Sequence, residues 1–466
     1  MIPGAGPSAA DLLPTGLPPA AGPNGEGAEG EEPTETRAIE VLRNRPFLSL
    51  WLAQAVTQVG GNMVLYGLTV RVYALTGSTS AVSLLILTFL VPAVLLSAVA
   101  GVYVDRLDRR HILIVTNLLR AVMFGLLFFI GDDLVLILVL NATVSTVTTF
   151  FAPAEAAMIP VLVKRGQLLA ANGIFTLTLN AAFALGFALL GPLVVNLTSP
   201  QVLLLVVAGC YLVAMALVFT LPSAPPSIAD LPHGLAVREA SVAVESTFGQ
   251  LREGIEFIRA NRSITWSLVY LGITASLIGV LGVVGPAFAT EALGLSAKDF
   301  VVIVLPLGVG VVTGILLLNS YGRLVSRRRT IETGLILLGI FLAILSAAGP
   351  ITRFLQRVTS VSPVDVSSLV TLISISIVLA FLAGIAYASV AIPAQTQLQE
   401  DLPEEVRGRV FGVLNMLIST ASFLPIIVVG PIADLISTTA VVLVVGIAIT
   451  ISGILSAAYR RIPVAL

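Results

Sequence analysis

Apolar residues along this chain run in blocks long enough to cross a bilayer, separated by short polar turns. A helix needs roughly 20 apolar residues to traverse the hydrocarbon core. Stretches of that order fall near 47–75, 79–104, 111–130, 134–158, 168–195 and 201–221. Six more fall near 264–289, 298–321, 330–349, 366–391, 408–436 and 438–458. The pattern predicts an all-α polytopic membrane protein with twelve transmembrane helices in two pseudo-symmetric six-helix bundles. Pro92, Pro192, Pro286, Pro306 and Pro431 would break soluble helices, but in a bilayer neighbouring helices re-satisfy the freed backbone groups.

The segments between and before these blocks divide the chain. Residues 1–36, rich in Pro, Gly, Ala and Glu, have neither a basic n-region nor an unbroken apolar run, and read as a disordered cytoplasmic tail. Residues 37–221 form the first six-helix bundle and 263–466 the second. Between them, 222–262 opens with Pro222, Pro225, Pro226 and Pro232. Phe248, Leu251, Ile255 and Ile258 then recur at helical spacing among Arg252, Glu253, Glu256 and Arg259, which predicts an amphipathic helix on the membrane surface.

The halves carry traces of one repeated unit. Pro153-Ala154 followed 38 residues later by Gly191-Pro192 matches Pro393-Ala394 followed 37 residues later by Gly430-Pro431.

Composition agrees with the pattern: 57% of residues are hydrophobic, 11% are charged, and mean hydropathy is +1.02. A net charge of −1 gives no reason to expect a nucleic-acid partner. Cys210 is alone, and His111 and His233 are far apart, so neither a disulfide framework nor a metal site is expected. No Walker-type phosphate loop and no Ser-His-Asp or Cys-His set is present, so the chain reads as a non-enzyme with no cofactor. With the N-terminus inside, 20 of the 25 Lys and Arg fall on one side and four on the other, with Arg120 within a span. By the positive-inside rule both termini are cytoplasmic, in a cell inner or plasma membrane.

Between spans two and three lies Gly101-Val102-Tyr103-Val104-Asp105-Arg106-Leu107-Asp108-Arg109-Arg110. It resembles the G-x-x-x-D-R-x-x-R-R signature of major facilitator superfamily transporters, with Asp108 where the family usually has Gly. Pro153-Ala154-Glu155, Ile159-Pro160-Val161-Leu162-Val163, Ala171-Asn172 and Arg407-Gly408-Arg409-Val410-Phe411-Gly412 resemble the branch holding the enterobactin exporter and macrolide efflux pumps. The likeness covers nearly the whole chain after the tail.

Isolated polar residues in lipid are costly and should face a cavity or another helix. Span one carries Gln54, Gln58 and Asn62 at i, i+4 and i+8, with Tyr66 one turn on; span four carries Asn141, Ser145 and Thr148, and span seven Tyr270 and Thr274. The resemblance implies that spans one, four, seven and ten line a central cavity, making these the expected substrate contacts; interhelical bonding is the alternative reading.

Gly101, Asp105, Arg106, Arg109 and Arg110 are the expected gating residues, because contacts of a carboxylate and arginines at a helix end can be made in one state and broken in another. Arg120 and Glu155 lie about nine and eight residues in from the cytoplasmic ends of spans three and four, at similar depth, so they are expected to pair and to serve proton coupling. Glu332, Asp434 and Glu291 are weaker candidates nearer helix ends.

These features predict a secondary transporter, its expected partners being protons, the lipid bilayer and an amphipathic small molecule (a drug, siderophore or similar) exported by a monomer through alternating access. A lysophospholipid transporter of the same fold is the first alternative, and a transport-inactive scaffold or sensor the second.

Overall fold

The apolar blocks become helices and the polar turns become their caps. The computed structural model describes residues 38–129, 131–225, 262–321, 326–349, 351, 371–401 and 423–460, with no strand among them. The first bundle comprises α1 (Arg45–Thr76), α2 (Thr79–Arg106), α3 (Arg109–Phe129), α4 (Leu134–Leu162), α5 (Arg165–Leu197) and α6 (Pro200–Val218). The second comprises α7 (Arg262–Glu291), α8 (Val301–Tyr321), α9 (Arg327–Ser346), α10 (Leu372–Asp401), α11 (Phe423–Leu435) and α12 (Thr438–Arg460).

Ten of these runs are long and apolar enough to span a membrane. The other two are α1, whose hydropathy is diluted by its Gln54, Gln58 and Asn62 stripe, and α11, which at Phe423–Leu435 is shorter than a span.

Starts and stops follow local chemistry. Asn44, Ser78, Asp133 and Ser199 cap α1, α2, α4 and α6, each side chain accepting a hydrogen bond from an amide three residues on. Gly77, at φ 63°, ends α1 in the left-handed conformation that a side chain would strain. The expected surface helix within 222–262 and the Arg407–Gly412 motif lie outside the described residues, apart from 222–225 and Arg262.

The outer surface is hydrocarbon-like. Leu169, Leu435, Phe129 and Leu197 are 74–87% exposed, which suits lipid and not water. Inside, the larger apolar core joins both halves, from Tyr66, Leu204 and Val207 of the first to Val283, Phe300 and Ile449 of the second. A smaller core, including Phe47, Leu50, Met158 and Val218, belongs to the first half alone.

One helix departs from regularity. Within α5 the stretch Ala184–Leu190 is π-helical, between α-helical Leu168–Phe183 and Gly191–Leu197. There Gly186 lies against α1 so closely that a Cβ would come within 2.5 Å of the Val59 carbonyl oxygen and 2.8 Å of the Asn62 Cβ.

Candidate functional site

The spacing of α3 carries a charge into the first bundle. Its buried stripe, Leu113, Asn117, Arg120, Phe124 and Leu127, recurs every three or four residues, so Arg120 lies on the face that packs inward. On α4 the corresponding buried group is Phe151, Ala154, Glu155 and Met158. Arg120 is 2% exposed and Glu155 7%.

The two do not form the expected ion pair: no nitrogen–oxygen contact between them falls within 4.0 Å. Arg120 instead donates to the Thr116 carbonyl at 3.3 Å and to Asn117 Oδ1 at 2.8 Å. Its guanidinium also lies over the rings of Phe151 and Tyr211, 4.2 and 4.5 Å from their centroids. Equal depth did not guarantee contact, because these neighbours already satisfy the guanidinium. Glu155 is left with a buried Oε1 that accepts no hydrogen bond. A charged carboxylate in that position is far costlier than a protonated one.

The expected cavity residues divide into two groups. Asn141 Nδ2 donates to the Leu85 carbonyl and Thr88 Oγ1, both at 3.0 Å, and the Ser145 hydroxyl donates to the Phe89 carbonyl, so both join α4 to α2. Tyr270 and Ser456 join α7 to α12 through their hydroxyls at 2.6 Å. Thr148 and Thr274 donate to carbonyls of their own helices. Interhelical or local bonding therefore occupies all five. On α1, Gln58 and Asn62 are half-buried, with Asn62 Nδ2 donating to the Gln58 carbonyl at 2.8 Å. Gln54 is buried and its Oε1 has no partner.

Tyr66 does something else. Its hydroxyl donates to the carbonyl of Lys298 at 2.5 Å, and its ring stacks on Phe300 at 4.6 Å and meets Phe187 edge-on at 5.8 Å. Nearby, the hydroxyls of Tyr73 and Thr290 lie 3.1 Å apart. Asp434 accepts from Ser78, Thr79 and Ser80. Apart from the Tyr66–Phe187 contact, these cross between the halves at the end of the bundle that carries Gly77. At the opposite end, which carries Asp105, the described bonds join elements of one half: Asn44 to the Leu162 carbonyl at 2.6 Å, Trp51 to Thr178 at 2.7 Å, and Gln397 to Ser263 at 2.8 Å.

In the charged turn, Asp105 is exposed and makes no hydrogen bond or ion pair with another described residue. The residue given no role in the sequence, Asp108, is the organised one. Its Oδ1 accepts from the amides of Arg110 at 2.9 Å and His111 at 3.3 Å, and its Oδ2 from the Ser223 hydroxyl. Burial pushes its carboxyl upward, but these bonds and the Ala224 backbone outweigh that and hold it below the usual range. Arg110 reaches the Phe219 carbonyl at 2.6 Å and the Arg109 amide the Ala224 carbonyl at 3.4 Å, tying the end of α6 to the turn. Glu332 pairs with Arg328 at 3.1 Å, and Glu291 accepts from the Thr438 hydroxyl at 2.5 Å.

An apolar pocket of about 620 Å³ lies between α7, α11 and α12, lined by residues such as Leu268, Ile273, Val429 and Ile449. No group of three or more His, Cys, Asp or Glu able to hold a metal occurs among the described residues.

The family model described as Major Facilitator Superfamily matches residues 50–426, and the chain belongs to that family. It is a membrane-embedded transporter of small molecules. Among its relatives is the multidrug efflux pump Tap of Mycolicibacterium fortuitum, 23% identical over 428 residues, which cover 90% of this chain and 96% of Tap. The uncharacterized MFS-type transporter YfiS of Bacillus subtilis (strain 168) is 24% identical over 438 residues, 91% of this chain and 95% of YfiS. In fold the chain is similar to the nucleoside transporter NupG, at TM-score 0.61 and 12% identity over 89% of this chain and 99% of NupG. A bacterial homologue of the iron transporter ferroportin in its inward-facing state gives TM-score 0.62 and 13% identity, covering 90% of this chain and 99% of the homologue.

Proposed function

We propose that this transporter exports an amphipathic small molecule by alternating access, driven by protons, from a cell inner or plasma membrane in which both termini face the cytoplasm. The observation that carries the reading is the set of bonds that hold the Gly77 end closed. There the halves are bonded to each other through Tyr66, Tyr73 and Asp434. With the Asp105 end cytoplasmic, alternating access requires these bonds to form in one state and break in the other. Efflux is supported by the likeness to Tap along nearly its full length.

Proton coupling is assigned to Glu155. Buried without a hydrogen-bond partner on Oε1, and near but not paired with Arg120, it can be neutral in one conformation and charged in another. Gln58 and Asn62 are the proposed cargo contacts on α1, and Asp105 with Arg106 the proposed gate at the cytoplasmic end. A second reading, transport of a lysophospholipid, is favoured by the apolar pocket between α7, α11 and α12.

Proteoliposomes test both readings. With an imposed pH gradient, cationic drugs, siderophores and lysolipids are offered in turn. Gradient-dependent movement of a drug or siderophore is expected; movement of lysolipid alone transfers the assignment to the second reading, and movement indifferent to the gradient removes the protons.

A further inference from the structure

The contact at Asp434 is more complete than any other that crosses between the halves among the described residues. Asp434 sits at the C-terminal end of α11, and its carboxylate faces the first turn of α2. Oδ1 accepts from the Thr79 amide at 2.7 Å and the Thr79 hydroxyl at 2.5 Å. Oδ2 accepts from the Ser78 hydroxyl at 2.7 Å, the Ser80 hydroxyl at 2.6 Å and the Ser80 amide at 2.9 Å. The first amides of a helix have no partner within it and carry its positive dipole end, so an acceptor with a full negative charge suits them. Here that acceptor comes from the other half of the molecule.

Backbone packing makes the contact possible. One turn before Asp434, Gly430 lies so close to α2 that a Cβ would collide with Ser83 Oγ and come within 2.7 Å of the Thr79 carbonyl oxygen. The Thr79 hydroxyl also lies 2.7 Å from the Gly430 carbonyl. The pair Gly430 and Asp434 thus acts as a unit: the glycine lets the helices touch and the acid bonds the turn it reaches. Helix α2 ends with the same spacing, Gly101 and Asp105, at the opposite end of the bundle. No described atom lies within 4 Å of where a Cβ on Gly101 would stand.

We propose that Gly430 and Asp434 form a latch that holds the Gly77 end shut by capping the start of α2, and that the latch must release for that end to open. The proposal rests on the alternating-access reading. It assigns to α11 at one end the role expected of Asp105 on α2 at the other, so that each of the two helices carries a carboxylate able to close one end.

The test is a distance measurement on the full chain in lipid nanodiscs. Cys210→Ala removes the native thiol, and spin labels are placed at Thr198→Cys in the first half and Lys298→Cys in the second, both at the Gly77 end. A short distance should dominate when the latch is intact. Asp434→Asn should raise the long-distance population about tenfold, the effect of roughly 1.4 kcal/mol. Gly430→Ala should shift it the same way, and Ser78→Ala with Ser80→Ala by a smaller factor. An unchanged distribution in folded Asp434→Asn overturns the latch. If that variant fails to fold, Ser80→Ala decides, since it removes one hydroxyl from the carboxylate and leaves the Ser78 cap of α2 in place; no change there overturns the latch equally. The readout needs no cargo and no proton gradient, so failure to find a transported molecule would count against the proposed function while leaving the distance result intact.

Discussion

The hydroxyl of Tyr66 donates to the backbone carbonyl of Lys298, a residue 232 positions further along the chain and in the other half of the molecule. Together with the stacking of the same ring on Phe300, this places a polar bond and an apolar contact on one side chain. Tyr66→Phe keeps the second and deletes the first. A single intramolecular hydrogen bond contributes about 1 kcal/mol. The amides around Phe300 should therefore exchange with deuterium about fivefold faster in Tyr66→Phe. Identical exchange would mean that the rings alone hold the contact.

The separation of Arg120 from Glu155 gives a different expectation from that of a closed ion pair. Breaking a buried pair costs about 3–5 kcal/mol, because the surviving charge is stranded. Arg120 has its own partners in Thr116, Asn117, Phe151 and Tyr211, so Glu155→Gln should lower thermal stability by much less than that. Gradient-driven transport should nevertheless be lost, with cargo binding retained. Arg120→Gln/Glu155→Gln should behave like Glu155→Gln in transport. A pH–rate profile for Glu155→Gln that superimposes on the parent would exclude this carboxyl from coupling.

Asn141 and Gln58 separate bundle stability from cargo recognition. Asn141→Leu removes the bonds from α4 to Leu85 and Thr88, which should lower stability by about 1 kcal/mol, within the range for interhelical hydrogen bonds in membranes. Its effect on cargo affinity should be small. Gln58→Leu, on a half-buried part of α1, should change affinity or selectivity while leaving the melting temperature alone. The reverse outcome, selectivity following Asn141, would return that residue to the cavity wall.

Asp108→Ala tests the cap at the start of α3. Loss of an N-cap side chain costs about 1 kcal/mol. Because the folded carboxyl is held below its usual range, its contribution is fully present above the unfolded value and disappears as pH falls through the folded one. The stability difference between parent and Asp108→Ala should thus be constant near neutrality and shrink below about pH 4. A difference that persists in strong acid would assign the effect to packing instead of charge.

The spans were legible because a bilayer imposes a length; the caps Asn44, Ser78, Asp133 and Ser199, which set where α1, α2, α4 and α6 start, emerged only from the structure. Azimuth was harder to read than depth. Arg120 and Glu155 stand at matching heights, yet whether two side chains meet depends on how each helix is turned and on which other groups reach them first. Nor can spacing tell whether an amide bonds to another helix or to its own: Asn141 and Asn62 look alike along the chain, yet Asn141 reaches Leu85 and Thr88 of α2 while Asn62 reaches the Gln58 carbonyl of α1. Asp434 was easiest to underrate, since an acid at the end of a span resembles one facing water. The signal that could have found it is the Gly-x-x-x-Asp spacing it shares with Gly101 and Asp105.

The widened stretch of α5 sets the phase of everything after it. A helical residue advances the screw by about 100°, and a π turn absorbs one residue more than an α turn. If Ala184–Leu190 wound as an ordinary α-helix, Gly191–Leu197 would rotate by about 100°. Gly191, where a Cβ would now lie 3.1 Å from that of Tyr66, would turn away and bring a different face of α5 toward the tyrosine. The screw phase of α5 and the position of the Tyr66 ring are therefore mechanically tied. Adding one residue to that stretch should disturb the Gly77 end as surely as altering the tyrosine itself, whereas deleting one should let it wind as an α-helix with the phase kept.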